Sequence, residues 1–132
     1  MRLLLDTSAY SAFMRGHERI RPAVRANEEI FLNSTVIGEL TAGFIKGSRR
    51  KKNEAELRRF LASPRVGLLD VTEETSERYA IILNGLWQAG TPIPTHDIWI
   101  AATAMEYGLS VVTTDDHYQK IPQIMVDYFA AV

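Results

Sequence analysis

Residues 95–115 read THDIWIAATAMEYGLSVVTTD, and this stretch decides the fold. It divides at Gly108. Ahead of the glycine, alanine, methionine and isoleucine fill a helix for which Thr95 is the expected cap and Gly108 the expected end. Beyond it, Leu109 to Thr114 form a short apolar, β-branched run closed by Asp115, the signature of a strand. The small residues of the helix imply close packing against a neighbour. A helix delivered through one glycine into a short apolar strand belongs to the alternation of a parallel α/β sheet.

The rest of the chain repeats that alternation. RLLLD (2–6), EIFLNS (29–34), VGLLDV (66–71) and QIMVDYF (123–129) are further strand candidates, rich in Leu, Ile and Val. Between them, Ser34 or Thr35 should cap a helix running through VIGELTAGFIKG (36–47), with Val36, Ile37, Leu40 and Phe44 as its apolar stripe. SRRKKNEAELRRFLA (48–62) pairs Glu54 with Arg58 at i,i+4 and meets Pro64. TEETSERYAIILNGLWQAG (72–90) has an acidic first turn and ends on a glycine. The expectation is one α/β domain over residues 1–132, a three-layer α/β/α arrangement with a mostly parallel sheet of four or five strands.

Composition narrows the chemistry. The 132 residues are 46% hydrophobic and 23% charged, as in a folded protein rather than a disordered tail. No cysteine is present, which removes disulfides, thiolate nucleophiles and cysteine–zinc sites together and fits a reducing compartment. No apolar run reaches the roughly 18 residues that would span a bilayer, so a cytoplasmic protein without a membrane partner is expected. The formal net charge of −1 offers no overall attraction to nucleic acid; such a partner must be gripped locally. Seven of the 15 basic residues lie in KGSRRKKNEAELRR (46–59), with Arg49, Arg50, Lys51 and Lys52 contiguous. They read either as a solvated, salt-bridged helix face or as a phosphate grip.

In a parallel α/β sheet, strand C-termini and the N-termini of the following helices share the edge where ligands bind. Asp6 and Asp115 end strands, and Asp97 opens a helix, so all three should meet there. At 100° per residue Asp97 shares a face with Ile100, Ala101 and Ala104, which pack inward, and a carboxylate on a buried face needs a partner. Glu39 flanks the Val36–Leu40–Gly43 stripe one turn into its helix. Taken singly, each acid has an ordinary reading: Asp6 a helix cap, Asp97 a dipole-favoured first-turn acid, Glu39 a border residue, Asp115 a turn residue. Taken together, carboxylates 4 Å apart repel by up to about 4 kcal/mol per pair at an effective dielectric of 20, and they require protons or cations. Mg²⁺ or Mn²⁺ suits an oxygen-rich set without cysteine, and such ions promote phosphodiester hydrolysis by lowering the pKa of attacking water and stabilising the leaving oxygen.

These residues also carry a resemblance. LLLDTSAY (3–10), NSTVIGELTAG (33–43) and PTHDIWIAATAMEYGLSVVTTDDHYQKI (94–121) are similar to the PIN-domain ribonucleases, in particular the VapC-type toxins of toxin–antitoxin pairs. The resemblance implies that Asp6, Glu39, Asp97 and Asp115 are the four acids of a metal-dependent ribonuclease site and that Thr113 supports it by hydrogen bonding. The DD pair leaves Asp116 as a competitor to Asp115, with the spacing favouring the latter. It further implies a substrate such as tRNA or ribosomal RNA, a homodimer, and a VapB-like antitoxin segment lying in a groove of the early helices, with Phe13 or Phe44 as anchor. On this reading Asp6 and Asp97 are primary metal ligands, and Asp115 and Glu39 hold a second ion or orient the attacking water.

Rival readings are weaker. A haloacid-dehalogenase phosphatase needs a second Asp where Ser8 stands, and a receiver domain needs an acid pair and a late lysine with a mid-chain acceptor that only Asp70 could supply. A non-enzymatic protein- or RNA-binding module with a structural acid cluster is the remaining alternative. His96 should point about 100° away from Asp97, His17 and His117 should be solvated turn residues, and Trp87, Trp99, Phe13 and Phe44 should belong to the core.

Overall fold

The structure, a computed structural model, describes residues 1–131. Five strands form one sheet: β1 (Arg2–Leu5), β2 (Glu29–Asn33), β3 (Val66–Leu69), β4 (Ser110–Thr113) and β5 (Met125–Tyr128). Their order is β3-β2-β1-β4-β5 and every pairing is parallel. Six helices connect them: α1 (Thr7–Met14), α2 (Ile20–Ala26), α3 (Ser34–Lys46), α4 (Arg50–Ala62), α5 (Glu73–Ala89) and α6 (Thr95–Tyr107). All five expected strands are present, and the α/β class expected from the alternation is the one observed.

The chain steps from β1 outward to β2 and β3, then returns to the other side of β1 for β4 and β5. With right-handed crossovers this reversal puts the helices after β1 and β2 on one face and those after β3 on the other. Central β1 is therefore covered on both faces, which is why Leu3, Leu4 and Leu5 run without a polar residue and are all buried. Leu4 stands in register with Phe31 on one side and Val111 on the other. The reversal also creates a switch point between β1 and β4, where a parallel sheet opens a crevice at its C-terminal edge.

Local chemistry explains most boundaries and corrects several expectations. Asn33, rather than Ser34 or Thr35, caps α3: its Oδ1 accepts from Val36 N at 3.0 Å while its Nδ2 donates to Thr103 Oγ1 at 3.0 Å. Thr95 is the first residue of α6 and does not cap it; Pro94 holds the cap position with extended backbone. Gly90 and Gly108, at φ +68° and +65°, end α5 and α6 in the left-handed conformation that glycine adopts without steric cost. Helix α1 is the one that the ordinary reading of Asp6 as a cap anticipated, with Asp6 at its N-cap, whereas α2 has no counterpart among the sequence-derived helices. His17 between them is buried, not solvated: Nε2 lies 2.7 Å from the Ala130 carbonyl, and Nδ1 accepts from the N–H groups of Arg19 and Ile20. Trp87 is 68% exposed and outside the core, whereas Trp99 stacks on Tyr79 at 4.0 Å between α5 and α6, and Phe13 and Phe44 pack against the core. Among the described residues no helix is long and apolar enough to cross a membrane.

Candidate active site

Asp6 leaves β1 at the switch point and caps α1, its Oδ1 accepting from Ala9 N at 2.7 Å and from Ser8 Oγ at 2.7 Å. Its Oδ2 accepts from Thr113 Oγ1, at the end of the adjacent β4, at 2.6 Å. Cap and pocket wall are thus one residue in two roles. Three donors would ordinarily lower a carboxyl pKa, yet burial outweighs them, and with a further push from Asp97 it raises Asp6 to about 6. Thr113 also accepts from Asp115 N at 2.8 Å, so one buried hydroxyl ties the exits of β1 and β4 together.

Asp97 occupies the first turn of α6 on the face it shares with Ile100, Ala101 and Ala104, and all four are buried. Its Oδ1 accepts from the Tyr118 hydroxyl at 3.2 Å and its Oδ2 lies 3.0 Å from His117 Nδ1. Burial first, then the charges of Asp6 and Asp97, hold the Tyr118 phenol well above its ordinary range, so it stays a donor. Asp115 caps the 3₁₀ turn over Asp116–Lys120, accepting from His117 N at 2.9 Å. That turn carries His117 Nδ1 back to 3.0 Å from Asp115 Oδ1 as well. Asp116 is exposed, so the geometry separates the DD pair. Glu39, one turn into α3, accepts from Thr7 Oγ1 at 2.5 Å and lies 3.3 Å from His96 Nε2.

The four acids surround one cavity of about 240 Å³, lined also by Ser8 and Tyr118. Oxygens of Asp97 and Asp115 and a ring nitrogen of His117 all lie within 4.8 Å of one another, a grouping able to hold a metal ion. Such a donor set, carboxylates with at most an imidazole, fits a divalent cation of the Mg²⁺ and Mn²⁺ type. Two histidines beside these acids run against expectation. His117 is only partly exposed and bridges two of the acids, and His96 Nε2 reaches to 3.4 Å from Asp97 Oδ1 instead of pointing away. The signal for His117 was present in Asp115-x-His117, since an aspartate that caps a turn accepts from the backbone N–H two residues on and so holds that residue close to itself. For His96 no helical-wheel signal exists, because its partner Glu39 comes from a different helix.

The basic residues lie elsewhere. Arg49 precedes α4 and Arg50, Lys51 and Lys52 form its first turn; all four are exposed, none lines the acid cavity, and Arg50 pairs with Glu54 at 3.1 Å.

Comparison with known proteins gives a consistent result. The PIN domain family model matches residues 3–124. Ribonuclease VapC4 of Mycobacterium tuberculosis (strain ATCC 25618 / H37Rv) is 30% identical over 125 residues, 95% of either chain. Among solved structures, DNA-bound VapBC from Salmonella typhimurium superposes with a TM-score of 0.85 at 27% identity, covering 97% of this chain and 98% of that one. VapBC2 from Rickettsia felis, bound to a DNA fragment from its promoter, gives 0.86 at 23% identity, covering 98% and 99%, a likeness of fold.

Proposed function

This chain belongs to the PIN-domain family, with VapC ribonucleases among its relatives, and from that membership we propose that it is an endoribonuclease acting as the toxin of a toxin–antitoxin pair. The observation that carries the reading is the convergence of Asp6, Glu39, Asp97 and Asp115 on a single cavity at the sheet's switch point. The reaction is hydrolysis of RNA phosphodiester bonds, with tRNA or ribosomal RNA as the substrate class, in the cytoplasm.

Divalent Mg²⁺ or Mn²⁺ is the proposed cofactor, held by Asp6 and Asp97 with Asp115 and Glu39 completing the set. What the ion supplies is Lewis acidity, lowering the pKa of water and offsetting charge on the leaving oxygen. The chain's own groups do the positioning. Ser8, Ala9 N and Thr113 take up three acceptor sites of Asp6 and leave its carboxylate facing the cavity with about one to spare. Tyr118 and His117 orient the two oxygens of Asp97, and Thr7 orients Glu39. No side chain need act as a covalent nucleophile.

A VapB-like antitoxin is the proposed protein partner, supported by neighbours solved as VapBC assemblies; its segment would lie along the early helices near Phe13 or Phe44, and a homodimer is the proposed assembly. The test is incubation of purified protein with total RNA plus Mg²⁺, Mn²⁺ or EDTA, with cleavage ends mapped. Discrete cuts that need the ion are expected. RNA left intact with every divalent ion would favour the binding-module alternative.

A further inference from the structure

Hydrogen bonding accounts for only part of where His117 stands. Its Nδ1 lies 3.0 Å from Asp97 Oδ2 and 3.0 Å from Asp115 Oδ1. One ring nitrogen carries at most one proton, so it donates well to one of these oxygens and leaves the other facing it unserved. The same spacing is the edge of a small octahedron: donor atoms about 2.1 Å from a hard divalent ion and at right angles to each other are about 3.0 Å apart. All three atoms lie within 4.8 Å of one another, close enough to share one ion. Both neighbours hold the ring in place. The Asp115 carboxylate accepts from His117 N at 2.9 Å, and Asp115 N donates to Thr113 Oγ1 at 2.8 Å, so His117 is fixed to the exit of β4. Tyr118 engages Asp97 Oδ1 at 3.2 Å and leaves Oδ2 to His117. With 36% of its side chain exposed, His117 leaves an approach for an ion and its water.

We propose that His117 Nδ1 is a direct ligand of the divalent ion shared by Asp97 and Asp115, and that this nitrogen makes the site favour Mn²⁺ over Mg²⁺. The inference rests on the metal-dependent ribonuclease reading, in which carboxylates alone accept either ion, and it separates the two. Mg²⁺ gives up its water reluctantly and is bound through oxygen. Exchanging one oxygen donor for an imidazole nitrogen weakens a site for Mg²⁺ and suits the first-row transition ions, of which Mn²⁺ is the one most at home among carboxylates. Neutral imidazole is a common metal ligand through either ring nitrogen, so His117 needs no unusual chemistry for this role. His96 offers the other nitrogen beside these acids and fits less well. Its Nε2 stands 3.3 Å from Glu39 and 3.4 Å from Asp97, longer than the octahedral edge, on a side chain half in water.

The test is made without RNA. Mn²⁺ is titrated into the native protein, His117→Asn and His96→Ala, free ion being read by electron paramagnetic resonance and Mg²⁺ by competition, and pulsed spectra of the bound Mn²⁺ report directly bonded nitrogen. Asparagine sets an oxygen near the place of Nδ1 and keeps the backbone N–H that Asp115 accepts. The native protein should show nitrogen coupling to Mn²⁺. His117→Asn should lose that coupling and lose Mn²⁺ affinity by at least the about 10–100-fold that removal of even a supporting partner costs, with Mg²⁺ affinity unmoved. His96→Ala should keep the coupling. A native protein that binds Mn²⁺ and cuts RNA without nitrogen coupling overturns the inference alone, as does coupling that survives His117→Asn or vanishes in His96→Ala. Equal losses for both ions in His117→Asn overturn the preference for Mn²⁺. A native protein that binds neither ion and cuts no RNA overturns the inference together with the metal-dependent ribonuclease reading.

Discussion

On the strand side of the acid cavity, Asp6 is buried and accepts three hydrogen bonds of 2.6–2.7 Å from Ser8, Ala9 and Thr113. On the helix side, Glu39 is half-buried, accepts one bond from Thr7, and shares its other oxygen with an imidazole 3.3 Å away that is itself half exposed. The difference lies in what each wall is attached to. Asp6 and Thr113 close adjacent paired strands and cannot move without the sheet, whereas Glu39 and His96 open toward solvent from separate helices. A rigid, desolvated wall fixes position at a cost in stability; an adaptable wall can follow substrate and ion. Asp97 belongs to both, buried like Asp6 but borne on α6.

The largest expected effect distinguishes the walls by stability rather than by activity. Asp6→Asn and Asp97→Asn should each lower RNA cleavage by about 10³-fold or more, since several kcal/mol of charge stabilisation leaves with a metal-holding carboxylate. Full activity in either variant breaks the site as drawn. In metal-free protein Asp6→Asn should also change the pH dependence of folding. The folded pKa of Asp6, about 6, is raised above its ordinary 3.8. The contribution is therefore fully present below pH 3.8 and is lost as pH rises through 6, amounting to about 3 kcal/mol. Asparagine can still cap α1, so the variant should lack this loss, and its chemical-denaturation stability should fall less between pH 4 and 7. Added Mn²⁺ should raise the melting temperature of the native chain and leave the variant unmoved.

Thr113→Val sharpens the same contrast one step removed from the carboxylate. Valine keeps the shape but withdraws the donor to Asp6 Oδ2 and the acceptor of Asp115 N. A buried N–H and a carboxylate oxygen are left short, so about 1–3 kcal/mol of stability should go. Activity should drop 10–100-fold, as it does for groups that orient metal-binding side chains. A variant that melts lower yet cleaves at the native rate would reduce Thr113 to a structural hydroxyl.

How much of this was legible in the sequence follows from the same contrast. Strand-borne features were readable, because Leu3–Leu5 and Val111–Val112 are unbroken apolar runs that only a doubly covered sheet buries, and the acid at each exit follows from topology. The inward face of Asp97 was readable from helical period alone. Short helices were less so: α1 showed only through Asp6 as a possible cap and α2 not at all, since at 8 and 7 residues both are too short to be stable without tertiary packing, and Pro22 sits inside the second. Asn33 lost out to Ser34 and Thr35 as the cap because all three residue types cap well and the strand ends one residue earlier than expected. Contacts made across elements left no periodic trace. His117 reaches Asp97 over 20 positions and His17 reaches Ala130 over 113, so composition and spacing assigned both to solvent. Trp87 erred the other way, since size and apolarity do not reveal which face of α5 is free.

The basic turn of α4 tests whether RNA enters over the adaptable side. Neutralising Arg49, Arg50, Lys51 and Lys52 to Gln should weaken RNA binding in EDTA and flatten its salt dependence. Each lost single-strand phosphate contact removes about 0.7 from the slope of log K against log salt. Arg50 is engaged by Glu54, so three contacts and a change of about 2 are expected between 50 and 200 mM salt. An unchanged slope would return the turn to a solvated, salt-bridged surface.

The smallest effect is expected at His96, and it is the most direct probe of the helix wall. Its Nε2 lies 3.3 Å from Glu39 and 3.4 Å from Asp97, beyond good hydrogen-bond length, with half of the side chain in water. Exposed pairs of this kind contribute little because solvent screens them and ordering the ring costs entropy. His96→Ala should therefore slow cleavage by at most about fivefold. His117→Ala should cost more, because its ring nitrogen lies 3.0 Å from both Asp97 and Asp115. If the two variants fall equally, the imidazoles act as a pair and the two walls are one unit. If His96→Ala falls further, the solvent-facing wall carries a proton-handling role that its exposure and long contacts argue against.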